Sequence, residues 1–381
     1  MSSGPKRISA QIGEDFVLVG RMHFRYASAM QQYTDSPQAR DTSLDVLRVT
    51  AILFVCLAHA YGAFGGINTV DGWRHDFLQA QLVGVWNMGV NLFMLLTGIL
   101  YAKREWKVQS YARLMASVVF YVILIVGCWR LCTTELQPGQ WQTVLHECLL
   151  PFPFISSYWY FAVYTVVFFL IPYLNKLCRS LDETSYRRLL LILFLLICVA
   201  GAFSRERIAG YGYNALWMGC MYLVGAYLKL HPLQIRRRRW FAIAICCSGG
   251  MLACAAARHI LQEGYWFDVL DAGSYCNPFM AIGSVAVAQI IMKTPVRRPA
   301  ICRILTLLAP TCFGIYLIQH PVLTETYRDL MSMAAERFHH PIWLPFSFGL
   351  AIFIVGFFAE TIRGKLFAWC GVNRLIKKAV P

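Results

Sequence analysis

Arg48 and His59 are eleven positions apart in an otherwise apolar run, Leu44-Asp45-Val46-Leu47-Arg48-Val49-Thr50-Ala51-Ile52-Leu53-Phe54-Val55-Cys56-Leu57-Ala58-His59. On an α-helix eleven steps return to within about 20° of the starting direction and rise ~16 Å. The two side chains therefore share one face, about one extended pantetheine arm apart. A guanidinium forks onto phosphate with charge-assisted bonds. An imidazole exchanges a proton near neutral pH and serves as a general base. Ionisable groups inside apolar segments are costly, which makes them candidates for function. Asp45, three positions before Arg48, is placed to pair with and orient it. Each residue has an ordinary alternative. Asp45 with Ser43 complements a helix N-terminus, Arg48 snorkels to a membrane surface, and His59 bonds a neighbouring helix.

The elements that must position these groups are membrane helices. The chain has 381 residues, is 58% hydrophobic, and has a mean hydropathy of +0.51. Only 14% of residues are charged, against about a quarter in a soluble domain. The apolar residues come in blocks of about twenty, enough to cross a bilayer. Blocks near 44–65, 82–102, 112–132, 158–175, 188–204, 213–229, 240–258, 274–293, 304–324 and 343–363 predict an all-α polytopic protein of about ten transmembrane helices. Three regions follow: a cytoplasmic N-terminal extension over 1–43, a membrane domain over 44–365, and a basic cytoplasmic tail over 366–381.

The net charge of +15 follows that frame. With the N-terminus inside, cytoplasmic segments carry 27 Lys and Arg and the opposite segments 7, with Arg48 completing the 35. The positive-inside rule then puts both termini in the cytoplasm. The run Arg236 to Arg239 reads as a topology anchor, and no nucleic-acid partner is expected. The 14 cysteines show no ligand spacing, so neither a disulfide framework nor a metal site is expected. His339 and His340 read as a solvated loop pair. The first 43 residues do not read as a signal peptide, because the apolar stretch Phe16 to Gly20 is short and is followed by Arg21 and Arg25. Longer external loops are expected at 133–157, 259–273 and 325–342. They carry Trp141, His146, Pro151, Pro153, Tyr265, Trp266, Asp268, Asp271 and Glu336.

The first helix, Leu-Asp-x-Leu-Arg with Arg-x10-His, resembles the acyltransferase-3 family of membrane O-acyltransferases. Further stretches match in order. Gly89 to Leu100 is similar to the family's second-helix segment, and Arg113 falls where a basic residue follows. Tyr158-Trp159-Tyr160-Phe161, opening a block that ends Leu170-Ile171-Pro172, is similar to a Leu-Trp-Phe…Pro helix. Gly314-Ile315-Tyr316-Leu317-Ile318-Gln319-His320-Pro321 resembles a late Gly-Ile-Tyr-x-x-His segment. Tyr275-Cys276-Asn277-Pro278 looks closest to the O-acetyltransferase type of enterobacterial common antigen. The resemblance covers roughly 43–365. Val49, Thr97 and Met94 depart from the pattern without removing a chemical group the mechanism needs.

The resemblance implies a bacterial inner-membrane enzyme. It would move an acyl group, commonly acetyl, from a cytoplasmic acyl-CoA to a sugar hydroxyl on an envelope polysaccharide or its lipid-linked precursor. Acetyl-CoA is then a substrate, and no bound cofactor is expected. Arg48, with Arg113, would hold the coenzyme's phosphates and His59 would be the base. Tyr316 and His320, four apart on the ninth block and so read as same-face neighbours, would orient the acceptor or bond another helix. Trp159 is either a sugar platform or part of the interfacial belt. Asn91 either approaches the thioester or bonds another helix. Transfer of another acyl group such as succinyl stays open, as does transport of a glycan precursor, which predicts inverted repeats or paired broken helices. A non-catalytic scaffold, which needs no Arg-x10-His stripe, stays open as well.

Overall fold

The computed structural model describes residues 41–129, 158–201, 209–260, 271 and 273–379. Among these there are helices and turns and no strand. The helices are α1 (Thr42–Ala58), α2 (Trp73–Gln81), α3 (Met88–Tyr101), α4 (Val108–Val122), α5 (Trp159–Ser180), α6 (Glu183–Leu193), α7 (Ala215–Leu230) and α8 (Arg237–Ile260). They continue with α9 (Pro278–Met292), α10 (Pro299–Leu308), α11 (Cys312–Leu317), α12 (Thr324–Arg337), α13 (Leu344–Trp369) and α14 (Val372–Ala379). Wider π turns extend α1 over His59–Ala63, join α2 to α3 over Leu82–Trp86, and extend α4 and α6.

Among the described residues, 7 helical runs are long and apolar enough to cross a membrane: Thr42–Ala63, Trp73–Tyr101, Val108–Gly127, Trp159–Ser180, Arg237–Ala257, Pro299–Leu317 and Leu344–Trp369. Ala215–Leu230 and Pro278–Met292 are apolar but shorter. The protein is therefore a polytopic helical membrane protein.

Two expectations need correction. The block 304–324 is not one continuous helix. Pro310 supplies no N–H to the ladder, and the run passes through a 3₁₀ turn, Ala309–Thr311, between α10 and α11. It stops at Leu317, just before Gln319 and the His320-Pro321 pair that disfavours further helix. Residues 325–342 are not simply a loop, because α12 occupies Thr324–Arg337 with Met331 and Ala335 buried. Its polar face hides it from a search for apolar blocks. Beyond it α13 runs to Trp369 and α14 follows. Trp141, His146, Pro151, Pro153, Tyr265, Trp266 and Asp268 lie outside the described residues.

Local chemistry explains where several helices begin. Asn277 caps α9 by accepting from the N–H groups of Phe279 and Met280, with Pro278 in the first turn, where its missing donor costs nothing. Asp182 and Asn214 cap α6 and α7 in the same way. Small residues set how closely the helices pack, as expected where lipid removes most of the hydrophobic drive. A Cβ on Gly98 would run into the Tyr222 carbonyl, and one on Gly225 into the Leu95 carbonyl, so α3 and α7 cross backbone to backbone. Gly89 brings α3 onto α1, where a Cβ would meet the Ala51 carbonyl at 2.8 Å. Buried polar side chains tie the same region. Asn175 on α5 donates to the Tyr101 carbonyl at 2.9 Å and accepts from the Tyr222 hydroxyl at 2.8 Å.

Candidate functional site

The α-helical ladder of α1 is unbroken from Thr42 to Ala58, so the eleven-residue register from Arg48 to His59 is kept. Arg48 Nη1 lies 3.3 Å from Asp45 Oδ1, and the two side chains are 27% and 7% exposed. The expected pairing is present, and it leaves part of the guanidinium open. The α2–α3 run returns antiparallel to α1 through a short connection, which puts Lys103, Arg104 and the start of α4 at the Arg48 end. Arg113 is exposed in the second turn of α4 and forms no ion pair among the described residues. This end therefore collects positive charge.

His59 opens the π turn at the other end of α1. Single π turns inside α-helices are frequent at functional sites. His59 is partly exposed, while the next residue, Ala60, is fully buried. His59 Nδ1 lies 2.8 Å from Gln319 Oε1, and the Gln319 amide nitrogen donates to the Ile315 carbonyl at 2.9 Å and contacts Cys56 Sγ at 3.4 Å. Phe64 meets the imidazole edge to face at 5.7 Å. Gln319 was missed as a site residue in the sequence. The signal available was one amide at the end of an apolar run, immediately before His320.

The other candidates divide. Asn175 and Arg179 of α5 bond the carbonyls of Tyr101 and Ala102, so that end of α5 lies with Arg48 and the Trp159 end lies with His59. Trp159 stacks on Tyr275 at 5.9 Å and 18° and meets Tyr213 at 4.6 Å. Tyr158 donates to the Leu317 carbonyl at 2.5 Å and packs on both Tyr316, at 5.6 Å, and His320, at 4.7 Å. Tyr316 and His320 do converge, but on Tyr158 and not as neighbours on one helix face, because α11 ends between them. His320 is 2% exposed, and its Nδ1 accepts from the Val322 N–H at 3.1 Å, which caps the following turn. Asn91 is fully buried, donates to the Tyr275 carbonyl at 2.9 Å and accepts from the Trp217 indole at 3.0 Å. It is a tie between α3, α7 and the Tyr275 turn.

Two features had no sequence counterpart. Glu360, which is buried, and the partly buried Arg363 on α13 form a two-point ion pair, with Arg363 Nε to Glu360 Oε2 at 2.7 Å and Nη2 to Oε1 at 2.5 Å. Tyr121 donates to the same carboxylate at 3.0 Å, and the carboxylate fills the space over Gly314. The second is an apolar cavity of about 90 Å³ between α6, α7 and α9, lined by residues such as Leu193, Phe194 and Met221. Apart from Cys198, Cys220 and Trp217 its lining is wholly apolar. Among the described residues no cluster of His, Cys, Asp and Glu side chains could hold a metal ion. His340 instead faces the Thr69 carbonyl at 2.6 Å.

The arrangement is that of a helical membrane protein with a partly exposed, Asp45-paired Arg48 and a partly exposed His59 on one transmembrane helix. A family model described as an acyltransferase domain, that of the acyltransferase-3 family, matches residues 41–362. The chain belongs to the acyltransferase-3 family and is a membrane acyltransferase. No curated protein and no solved structure matches it.

Proposed function

We propose that the protein is an O-acetyltransferase that moves acetyl from cytoplasmic acetyl-CoA to a sugar hydroxyl of an envelope polysaccharide or its lipid-linked precursor. The observation that carries this reading is the α1 register, with a partly open Arg48 at one end and an accessible, oriented His59 ~16 Å away. Arg48, held by Asp45 and assisted by Arg113, binds the phosphates of the coenzyme. The pantetheine arm follows the groove toward His59. His59 takes the hydroxyl proton as the oxygen attacks the thioester carbonyl, and holding both substrates in one groove supplies the orientation. The aromatic wall of Trp159 and Tyr316 lies on the acceptor's side, with His320 and Asn91 supporting it from behind.

The frame in this reading has about ten spans, with both termini cytoplasmic, in a bacterial inner membrane. Positive residues concentrated at the Arg48 end support the orientation. Tyr275 to Pro278, which forms the turn and cap before α9, supports kinship with the enterobacterial common antigen type of enzyme.

The test is transfer of radiolabelled acetyl from acetyl-CoA by membranes containing the protein, with envelope glycan present. Label in the glycan supports the reading. Label moving only from succinyl-CoA replaces the acyl group. Glycan precursor crossing vesicles with no acyl transfer replaces the enzyme with a transporter.

A further inference from the structure

We infer that Gln319 holds His59 with its proton on Nδ1, so that Nε2 is the nitrogen that accepts the hydroxyl proton. The chemical meaning rests on the acyl-transfer reading above, whereas the tautomer rests on geometry alone. The Ile315 carbonyl accepts hydrogen bonds only, so the end of the Gln319 amide 2.9 Å from it must be the NH2 group. The opposite end, facing His59 at 2.8 Å, is then the oxygen, which also only accepts. The imidazole must donate through Nδ1–H, and a neutral imidazole then has its lone pair on Nε2. Among the described residues no group hydrogen-bonds Nε2, and His59 is a partly exposed residue. Gln319 itself is 6% exposed and reaches α1 from beyond the end of α11, so its amide has no freedom to turn to solvent. This tautomer is the opposite of the one that prevails for histidine free in water.

The partner is an amide and not a carboxylate, which shapes the reaction. Tyr327 and Arg328 of α12 meet the same π turn at Phe64 and the Ala63 carbonyl, and Arg328 is itself paired with Glu325 of its own helix at 2.9 Å. The α11 segment and α13 up to Ala359 bring no carboxylate. Among the described residues no carboxylate pairs with His59 and its hydrogen-bond partner is a neutral amide, so the proton does not rest on the imidazole. As the acceptor oxygen attacks the carbonyl carbon, its proton passes to Nε2. As the carbon–sulfur bond breaks, the same proton passes to the sulfur. The products are the acetyl ester and coenzyme A as the free thiol, and His59 returns to its starting tautomer. Gln319 touches neither substrate and is a positioning residue.

The tautomer is read directly by nitrogen-15 NMR of histidine-labelled protein in detergent, with the His59 signal assigned by its loss in His59→Gln. The wild type should show a protonated Nδ1 and an unprotonated Nε2. A proton on Nε2 overturns the inference, whether or not the protein transfers acetyl. In kinetics, Gln319→Met, which keeps length but removes the amide, should lower kcat at least tenfold with KM for acetyl-CoA within twofold. Gln319→Glu supplies a counter-charge, stabilises the imidazolium, and should move the acid limb of kcat/KM to higher pH by a unit or more. Variants that keep both the wild-type kcat and the wild-type pH profile would equally overturn it. If Gln319→Met fails to fold, the wild-type spectrum alone decides. If the wild type transfers no acyl group, the function reading fails and the spectrum still judges the tautomer.

Discussion

The imidazole of His59 and the side-chain amide of Gln319 meet at 2.8 Å across 260 residues of sequence. The bond ties the end of α1 to the end of α11. Arg48 and His59 thereby stand on one helix whose far end is held by another. From this follow expectations for each part.

Arg48 is the predicted phosphate anchor. Arg48→Ala should raise KM for acetyl-CoA about tenfold, the scale of one or two charge-assisted bonds. Arg48→Lys keeps the charge but loses the fork and should fall between the two. Steady-state kinetics with varied acetyl-CoA check this, and an unchanged KM in the alanine variant would remove Arg48 from donor binding.

Asp45 should act through Arg48. Asp45→Asn frees the guanidinium from its 3.3 Å partner and should raise KM less than Arg48→Ala does. In the Arg48→Ala background the same change should add almost nothing. A double-mutant cycle on KM measures the coupling.

Glu360 should matter to stability. Replacing it by Gln leaves the Arg363 guanidinium, 13% exposed, without its charge partner. Loss of one partner of a buried pair costs about 3 kcal/mol. Thermal unfolding in detergent should show a clearly lowered midpoint. Gly314→Ala should lower it too, because the new Cβ enters the space of the Glu360 carboxylate.

Asn91 and Gly225 test whether the α3–α7 junction is structural. Asn91→Ala leaves the Tyr275 carbonyl and the Trp217 indole without their bonds, at a cost of about 1–3 kcal/mol each way. Gly225→Ala pushes a methyl group into the Leu95 carbonyl. Both should lower thermal stability and expression, with KM for acetyl-CoA unchanged in the protein that folds. A selective rise in KM for Asn91→Ala would instead place that amide on the donor.

The Arg48–His59 stripe and the Asp45 pairing were legible in the sequence because a helix fixes angular register from spacing alone. The apolar blocks marked most helices for the same reason. What escaped was set by distant contacts. Pro310 sits inside an apolar run, and composition did not reveal that α10 and α11 would separate there. The segment carrying Tyr327 and Met331 reads as polar, yet its narrow apolar stripe is enough to form α12 against the first helix and α13. Gln319 becomes a site residue only when α11 ends beside α1, and Glu360 only when α13 passes Gly314. Asn91 could be read either as glue or as a substrate contact until its two partners, on separate elements, were known.

On the proposed function, His59 performs the chemistry. The most direct measurement is acetyl transfer by purified His59→Ala protein in lipid, alongside its equilibrium binding of acetyl-CoA. Binding should stay within about threefold of wild type with an intact thermal transition, and transfer should fall by the roughly 10²–10⁴-fold typical of a lost general base. Transfer at the wild-type rate by a folded His59→Ala protein would contradict it.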